Sequence, residues 1–356
     1  MSQYLVSTNL PDAINSEEEV EELLSRPPVW LPELLGQVEG DIMFLGIGGK
    51  VGPTIARMAK RAAPSKRIIG VARFSEAGLK ERLESWDIET IACDLLNQDA
   101  VASLPDVPNI IYLAGKKFGT GDDPSFTWAM NTYVPALVAE RFKGSCIVAF
   151  SSICVYPFVS VGGGGWDEIG TAGGDEKNAD TGPTGDYPTS VVGRERLFTY
   201  FSKKYGTRGR LIRLNYAIDM RYGALYDIAE MVRTGTPIPI GTAYISAIWQ
   251  GDSNAQILGA LVHSTTPTTP LNVGGPEQIS VRMVAHEFGR RFGKEPIFEG
   301  EERQTGYYNN TLSAQRLYGY PTVSLAKLID WVADWVEKDM PNSNKPTHFT
   351  ERGGNY

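Results

Sequence analysis

The sequence predicts an α/β protein built on a doubly wound parallel sheet, with a smaller, discontinuous C-terminal lobe behind it. Three observations carry this. Short, predominantly apolar runs recur along the chain. Helix-spaced segments separate them. A glycine-rich turn follows the first run directly. The runs are Ile42–Leu45, Ile68–Ala72, Thr90–Cys93, Asn109–Leu113 and Cys146–Phe150, then Leu211–Leu214 and Leu271–Val273. Continuous rather than alternating hydrophobicity marks strands covered on both faces, as in parallel sheets. Val51 to Ala62 and Tyr187 to Lys204 read as helices, and Val281–Phe292 and Leu325–Val336 as amphipathic helices. There is no internal repeat.

The division of the chain follows. Residues 1–36 form an N-terminal helical extension. Ser16 and Glu19 make a capping box, the acidic run after Ser16 suits a first helical turn, and Pro27-Pro28 stops the helix. This helix is expected to be solvated and packed on the domain edge. Residues 37–214, with about 250–274, form the sheet domain. About 215–249 and 275–340 form the lobe, and 341–356 a polar tail expected to fray. Val159–Pro183, with glycines from Gly162 to Gly165, reads as a long mobile loop, either a lid or plain surface.

Bulk composition excludes several classes. The 356 residues carry a formal charge of −8, against a nucleic-acid or anionic-membrane partner, since both need a basic surface. Cys93, Cys146 and Cys154 are odd in number and unpatterned, which argues for a reducing compartment. His263, His286 and His348 have no metal-site spacing. No signal peptide is evident, and no apolar run approaches the roughly 20 residues that span a bilayer. The expectation is a cytoplasmic protein with no metal.

The turn Gly46-Ile-Gly48-Gly49-Lys50-Val51-Gly52 follows a strand and opens a helix. Glycines there allow a tight turn and let backbone amides approach a pyrophosphate, and the helix N-terminus adds a favourable dipole. This is a Rossmann-type dinucleotide site. Lys50 either helps or is solvated. The second strand ends in Arg73, where NAD sites place an acid. A guanidinium can pair with a 2′-phosphate, and Ser75 can add a hydrogen bond. NADP is therefore expected, with NAD the alternative if Arg73 only stacks on the adenine.

The later landmarks resemble an extended short-chain dehydrogenase/reductase of the NAD-dependent epimerase/dehydratase family, over roughly residues 41–338. They are Cys93-Asp94-Leu95, Tyr112-Leu113-Ala114-Gly115, Lys117, Asn131, Ser151-Ser152-Ile-Cys154-Val-Tyr156, Arg213-Leu-Asn215 and Asn272-Val-Gly-Gly275. The resemblance implies that Asp94 and Leu95 meet the adenine, and that Leu113, Ala114 and Gly115 lie under the cofactor. It implies that Lys117 contacts the pyrophosphate, that Asn131 holds the family's asparagine position, and that Ser152 is the catalytic serine. It also implies a homodimer through helices at 125–142 and 187–205.

One position departs from the family. Tyr187-Pro-Thr-Ser-Val191 stands where Tyr-x-x-x-Lys is expected, so Val191 replaces the lysine that holds the nicotinamide ribose and lowers the tyrosine pKa. Three explanations stay open. The oxidised nicotinamide, Lys116, Lys117 or Arg221 supplies the cation. Tyr187 works as a neutral acid with Ser152. Or the protein binds a dinucleotide without turnover. The reading is an NAD(P)-dependent oxidoreductase or epimerase acting on a carbohydrate by hydride transfer. Ser152 would hold the substrate oxygen and Tyr187 would exchange its proton. Cys154, Asn215, Tyr216 and Arg221 are further substrate candidates, with Asp219 and Tyr222 beside them and Tyr307, Tyr308 and Asn309 weaker. Cys154 is expected to be a packed thiol rather than a nucleophile.

Overall fold

The structure, a computed structural model, describes residues 3–168, 185–345 and 347–354. In chain order its main elements are α1 (Glu17–Leu24), β1 (Ile42–Leu45), α2 (Gly52–Ala62), β2 (Ile68–Ala72), β3 (Glu89–Ala92), β4 (Asn109–Tyr112), β5 (Cys146–Phe150), α3 (Asp186–Tyr205), β6 (Gly209–Leu214), α4 (Ala224–Thr234), α5 (Gln250–Gly259), β7 (Thr269–Val273), α6 (Val281–Phe292) and α7 (Leu325–Glu337). The seven strands form one parallel sheet in the order β7-β6-β5-β4-β1-β2-β3. The order reverses at β1, which pairs with β2 on one side and β4 on the other. Ligands of such sheets bind outside the carboxyl ends of the strands at this switch point.

Both faces of the sheet are covered, which explains the unbroken apolar strands. Ile42 and Phe44 pack with Ile55 and Met58 of α2 and with Ile257 and Leu258 of α5. Met43 and Leu45 point the other way, toward Val138, Phe198 and Phe201. A separate core joins α4, α6 and α7 around Ile228, Phe288, Trp331 and Trp335. Among the described residues no helix is long and apolar enough to cross a membrane.

Three expectations need correction. First, α1 is more than an edge helix: Val20, Leu23 and Leu24 are buried in the core of the second lobe. Its cap is also shifted. Ser16 Oγ accepts from Glu19 N at 3.2 Å, but the Glu19 carboxylate accepts from Asn15 N at 2.7 Å, one residue before the cap. Second, the tail is anchored. Phe349 is buried, Arg352 donates to Thr305 O at 2.8 Å, and Asp227 accepts from Thr347 N at 2.9 Å. Third, the start of the glycine-rich segment is ordered. Val159–Ser160 pairs antiparallel with Thr305–Gly306, and Trp166 is buried against Tyr156. The remainder of that segment, 169–183, lies outside the described residues.

A buried ion pair ties α3 to the sheet. Arg213 Nε and Nη2 donate to the two Glu195 oxygens at 2.9 and 2.6 Å, and Ser151 Oγ donates to the same carboxylate at 2.5 Å. Both side chains are under a tenth exposed. Removing one partner strands a charge away from water. Glu195→Ala should lower the unfolding free energy by about 3–5 kcal/mol, read as a shifted urea midpoint. A change under about 0.5 kcal/mol, the size of a surface substitution, would show the pair to be structurally idle.

Candidate functional site

The carboxyl ends of β1, β4, β5 and β6 open onto a cleft in two adjoining halves, which share Leu113 and Gly115. The first half, about 250 Å³, is floored by Gly46, Gly48, Gly49 and Ala114 and walled by Arg73, Asp94 and Leu95. The second, about 260 Å³, is lined by Lys50, Val51, Lys117, Ser152, Tyr187 and Tyr216, with Cys154 and Asn215 at its edge.

The first half fits a dinucleotide. Gly46 sits at φ +90°, and a Cβ there would come within 2.7 Å of Ala114. A Cβ on Gly52 would lie 2.0 Å from Ile47 O, so this glycine lets α2 close on the turn rather than touch a ligand. Gly48 and Gly49 are exposed to the cleft and leave the backbone bare to an approaching phosphate. The first turn of α2 carries no acidic residue to compete for its positive end. Arg73 and Ser75 are exposed on the wall of this half.

Asn131 does not reach the cleft. It is fully buried in a widened π-helical turn, Ala129–Tyr133, of the kind that often marks functional sites. Its Oδ1 accepts from Lys116 N at 2.9 Å and Arg194 Nη2 at 2.6 Å; its Nδ2 donates to Lys116 O and Ser190 Oγ, each at 3.0 Å. With the amide used this way, Asn131 supports the Gly115–Lys116 segment at the floor of the cleft.

In the second half, Ser152 and Tyr187 meet. Their side chains share a hydrogen bond, and Ser152 Oγ also accepts from Cys154 N at 3.2 Å. Burial is the main influence on the Tyr187 phenol and pushes its pKa above the ordinary range; Lys117, Arg194 and the Ser152 hydrogen bond pull against it. Val191 is fully buried against Ile153, Cys154 and Val155, so the expected lysine position lies in an apolar cluster.

Several candidates serve other ends. Asn215 is spent internally: its Nδ2 donates to Ser246 Oγ at 2.5 Å and Asn309 Oδ1 at 2.9 Å, and its Oδ1 accepts from Tyr216 N at 2.8 Å. Arg221 is no source of free charge. Asp219 holds it at 2.9 Å, and Glu17 and Glu21 of α1 stand at 3.3 and 3.7 Å. It braces the extension to the lobe. Lys116 Nζ lies 5.2 Å from the Phe126 ring centroid, and the residue lines the same half of the cleft as Tyr187. Tyr307 and Tyr308 are core, packed in the cluster that buries Val191. Cys154 is buried there too.

Two features were not legible as site elements. Arg194 lines the second half of the cleft, and so does Thr347 from the tail. Arg194 had a signal, since it lies seven residues after Tyr187 on the same helical face. Lys50 and Lys117 also converge. Lys50 Nζ lies 3.9 Å from the Tyr222 ring centroid, and Lys117 Nζ is 3.3 Å from Tyr222 Oη. The sequence showed no basic cluster here because these residues come from separate loops. Among the described residues no group of His, Cys, Asp or Glu could hold a metal.

A family model, NAD dependent epimerase/dehydratase family, matches residues 42–218. The match places the chain in that family. No curated protein matches the sequence. Among solved structures the chain is similar to a UDP-glucose 4-epimerase from Thermotoga maritima, at 15% identity and TM-score 0.67, covering 84% of this chain and 99% of that one. It is similar to a UDP-glucuronic acid 4-epimerase from Bacillus cereus, at 19% identity, TM-score 0.67 and the same coverage. A third is a dTDP-glucose 4,6-dehydratase from Streptomyces venezuelae, at 18% identity and TM-score 0.66, covering 83% and 97%. At these identities the likeness establishes the fold.

Lys50 is exposed to the open cleft yet walled in by protein. Desolvation, opposed by Asp219 and reinforced by Lys117, pushes its ammonium down to about 7. A larger share of it is then neutral at pH 7 than of an ordinary lysine. Limited acetylation at pH 7 should modify Lys50 roughly tenfold faster than the exposed Lys80, with the advantage narrowing as pH rises toward 10. Equal labelling of the two, measured by peptide mass spectrometry, would contradict the shift.

Proposed function

We propose that this protein is an NAD(P)-dependent enzyme that oxidises, reduces or epimerises a sugar or sugar derivative by hydride transfer. The observation that carries the reading is the hydrogen-bonded Ser152–Tyr187 pair in the half of the cleft adjoining the glycine turn. Family membership supports it, as does likeness to sugar-nucleotide epimerases, one solved in complex with NAD. The dinucleotide would supply the hydride donor or acceptor. Gly46, Gly48 and Gly49 would hold its phosphates through backbone amides. Ser152 would hold the reacting oxygen of the substrate, and Tyr187 would give or take its proton. A phenol held above its ordinary pKa is protonated at neutral pH, so Tyr187 rests as a proton donor.

The second half suits the substrate. Tyr216 and Tyr222 offer aromatic faces, and Lys50 and Lys117 offer cations to a carboxylate or a diphosphate. We further propose NADP as cofactor, with NAD the alternative, because the second strand ends in Arg73 rather than an acid and Arg73 and Ser75 stand on the adenosine side, with Glu76 next along the same wall. Trp128, Tyr133 and Tyr200 are exposed on the two helical segments expected to pair in a homodimer, which supports that assembly. A second reading, a dinucleotide-binding protein without turnover, is favoured by the burial of Val191.

Calorimetry with NAD, NADH, NADP and NADPH tests the binding claim, and absence of affinity for all four would end it. Arg73→Ser should weaken NADP roughly tenfold and leave NAD unchanged. On a substrate found in a sugar panel, Tyr187→Phe should lower kcat roughly 100-fold or more. Dinucleotide binding without turnover on any sugar would favour the second reading.

A further inference from the structure

The Tyr187 helix carries a second cation on the face that the missing lysine would occupy. Residues 187, 191 and 194 share one side of α3: at 100° per residue, position 191 is turned about 40° from Tyr187 and position 194 only about 20°, to the other side. Long helical side chains lean back toward the N-terminus. A guanidinium rooted one turn beyond Val191 is thereby delivered toward the level of that residue. Arg194 is almost wholly buried and lines the same half-cleft as Tyr187 and Ser152.

Its seat is built for it. Nη1 donates to Phe150 O at 3.0 Å, and Nη2 donates to Asn131 Oδ1 at 2.6 Å. Gly115 has no side chain to block it; a Cβ there would stand 2.3 Å from Nη2. Gly115 lines both halves of the cleft, so the guanidinium lies against their junction. Its two acceptors are neutral oxygens, and among the described residues no carboxylate pairs with it. Its Nε is buried without a partner. A positive charge under a tenth exposed and opposed by no anion is a costly arrangement unless something negative arrives.

We propose that Arg194 takes over the electrostatic role of the absent lysine, favouring the Tyr187 phenolate from a fixed position one helical turn further along α3. It is a positioning residue acting on Tyr187, and the inference rests on the reading of Tyr187 as the proton-exchanging group. Lys117, from the loop after β4, also bears on that phenol, Cys154 and Ser152 stand beside it, and Lys116 and Tyr216 line the same half of the cleft. The two cations differ in kind. Lys117 lies on the cleft side with its ammonium near Tyr222. Arg194 is held in the protein by the Asn131 amide and the end of β5.

The test reads phenolate chemistry without turnover. The rate of Tyr187 nitration by tetranitromethane at pH 8 tracks its ionised fraction, with the half-exposed Tyr200 as internal reference. Arg194→Gln should slow Tyr187 nitration roughly tenfold, one unit of pKa, and leave Tyr200 unchanged. Arg194→Lys should retain most of the rate. Val191→Lys placed in the Arg194→Gln background should restore it. Thermal melts of each variant separate this from loss of fold. An Arg194→Gln variant that folds and nitrates at the wild-type rate overturns the proposal, and so does equal slowing by Gln and Lys, which would mean that shape and not charge matters. If Arg194→Gln does not fold, the Lys variant decides: loss of its Tyr187 rate with Tyr200 intact overturns the proposal, and retention supports it. A parallel calorimetric titration of the wild type with dinucleotide tests the function itself, so the two readings can fail separately.

Discussion

Backbone contact at the first β-α turn is the constraint on which the rest of the structure depends. β1 must end, turn and enter α2 within the space between Leu45 and Gly52, while the end of β4 passes alongside. The contacts are too close for any side chain: at Gly46 a Cβ would press on Ala114, and at Gly52 on the Ile47 carbonyl. The turn is therefore pinned to β4 by absence of atoms. Because Leu113, Ala114 and Gly115 directly follow β4, the same contact that shapes the glycine turn sets the floor of both half-clefts. A shift of this turn would move the glycine amides, the seat of Arg194 and the approach to Tyr187 together.

Charged side chains then fix the parts to one another. Glu195 and Arg213 lock α3 to β6, placing Tyr187 against the segment after β5 that carries Ser152. Arg221, flanked by Asp219 and two glutamates of α1, ties the lobe to the extension. Arg61 of α2 and Arg82 reach the same helix through Glu22 and Glu21. α1 thus touches the sheet domain and the lobe at once. Pairs of this kind contribute little at a surface, but buried and multiply bonded ones resist removal of either member. They suit a site assembled from discontinuous pieces of chain.

What the sequence disclosed and what it hid follow from the range of each signal. The strands were legible because a parallel sheet buried on both faces leaves a local mark, four or five apolar residues in a row, as in Ile42–Leu45 and Cys146–Phe150. The glycine turn was legible because its geometry demands a residue type at each position. α5 was hidden: it is buried along its whole length, yet it reads Gln-Gly-Asp-Ser-Asn, with no polar face to contrast with an apolar one. Its polar groups find partners far away in sequence, as Asn254 does at Leu24 O. The anchoring of the tail was hidden for the same reason, since Thr347 is held by Asp227 across the fold. Arg221 looked like a substrate ligand because its neighbours in sequence are polar; its acidic partners on α1 lie some 200 residues earlier. Lys50 and Lys117 likewise become neighbours only when two strand ends are brought side by side.

The valine at position 191 shows how far a motif constrains chemistry. A motif fixes residue types at positions, but a reaction needs charge at a place. On a helix that place can be reached from more than one position, because i, i+4 and i+7 share a face and a long side chain spans a turn. If Arg194 acts on Tyr187 as proposed, it and Val191 divide what one residue would otherwise do. The valine fills the apolar wall formed by Ile153 and Val155, while the arginine brings charge to the junction of the cleft. The exchange also alters the character of the cation. An ammonium can lose its proton when desolvated, whereas a guanidinium cannot under ordinary conditions, and it is fixed here through two of its nitrogens. The field at Tyr187 from this side is then independent of pH across the range in which Lys50 titrates. Arg194 and Lys50 thus answer to different surroundings within one cleft, the first fixed by burial in α3 and the second open to the solvent of the cleft.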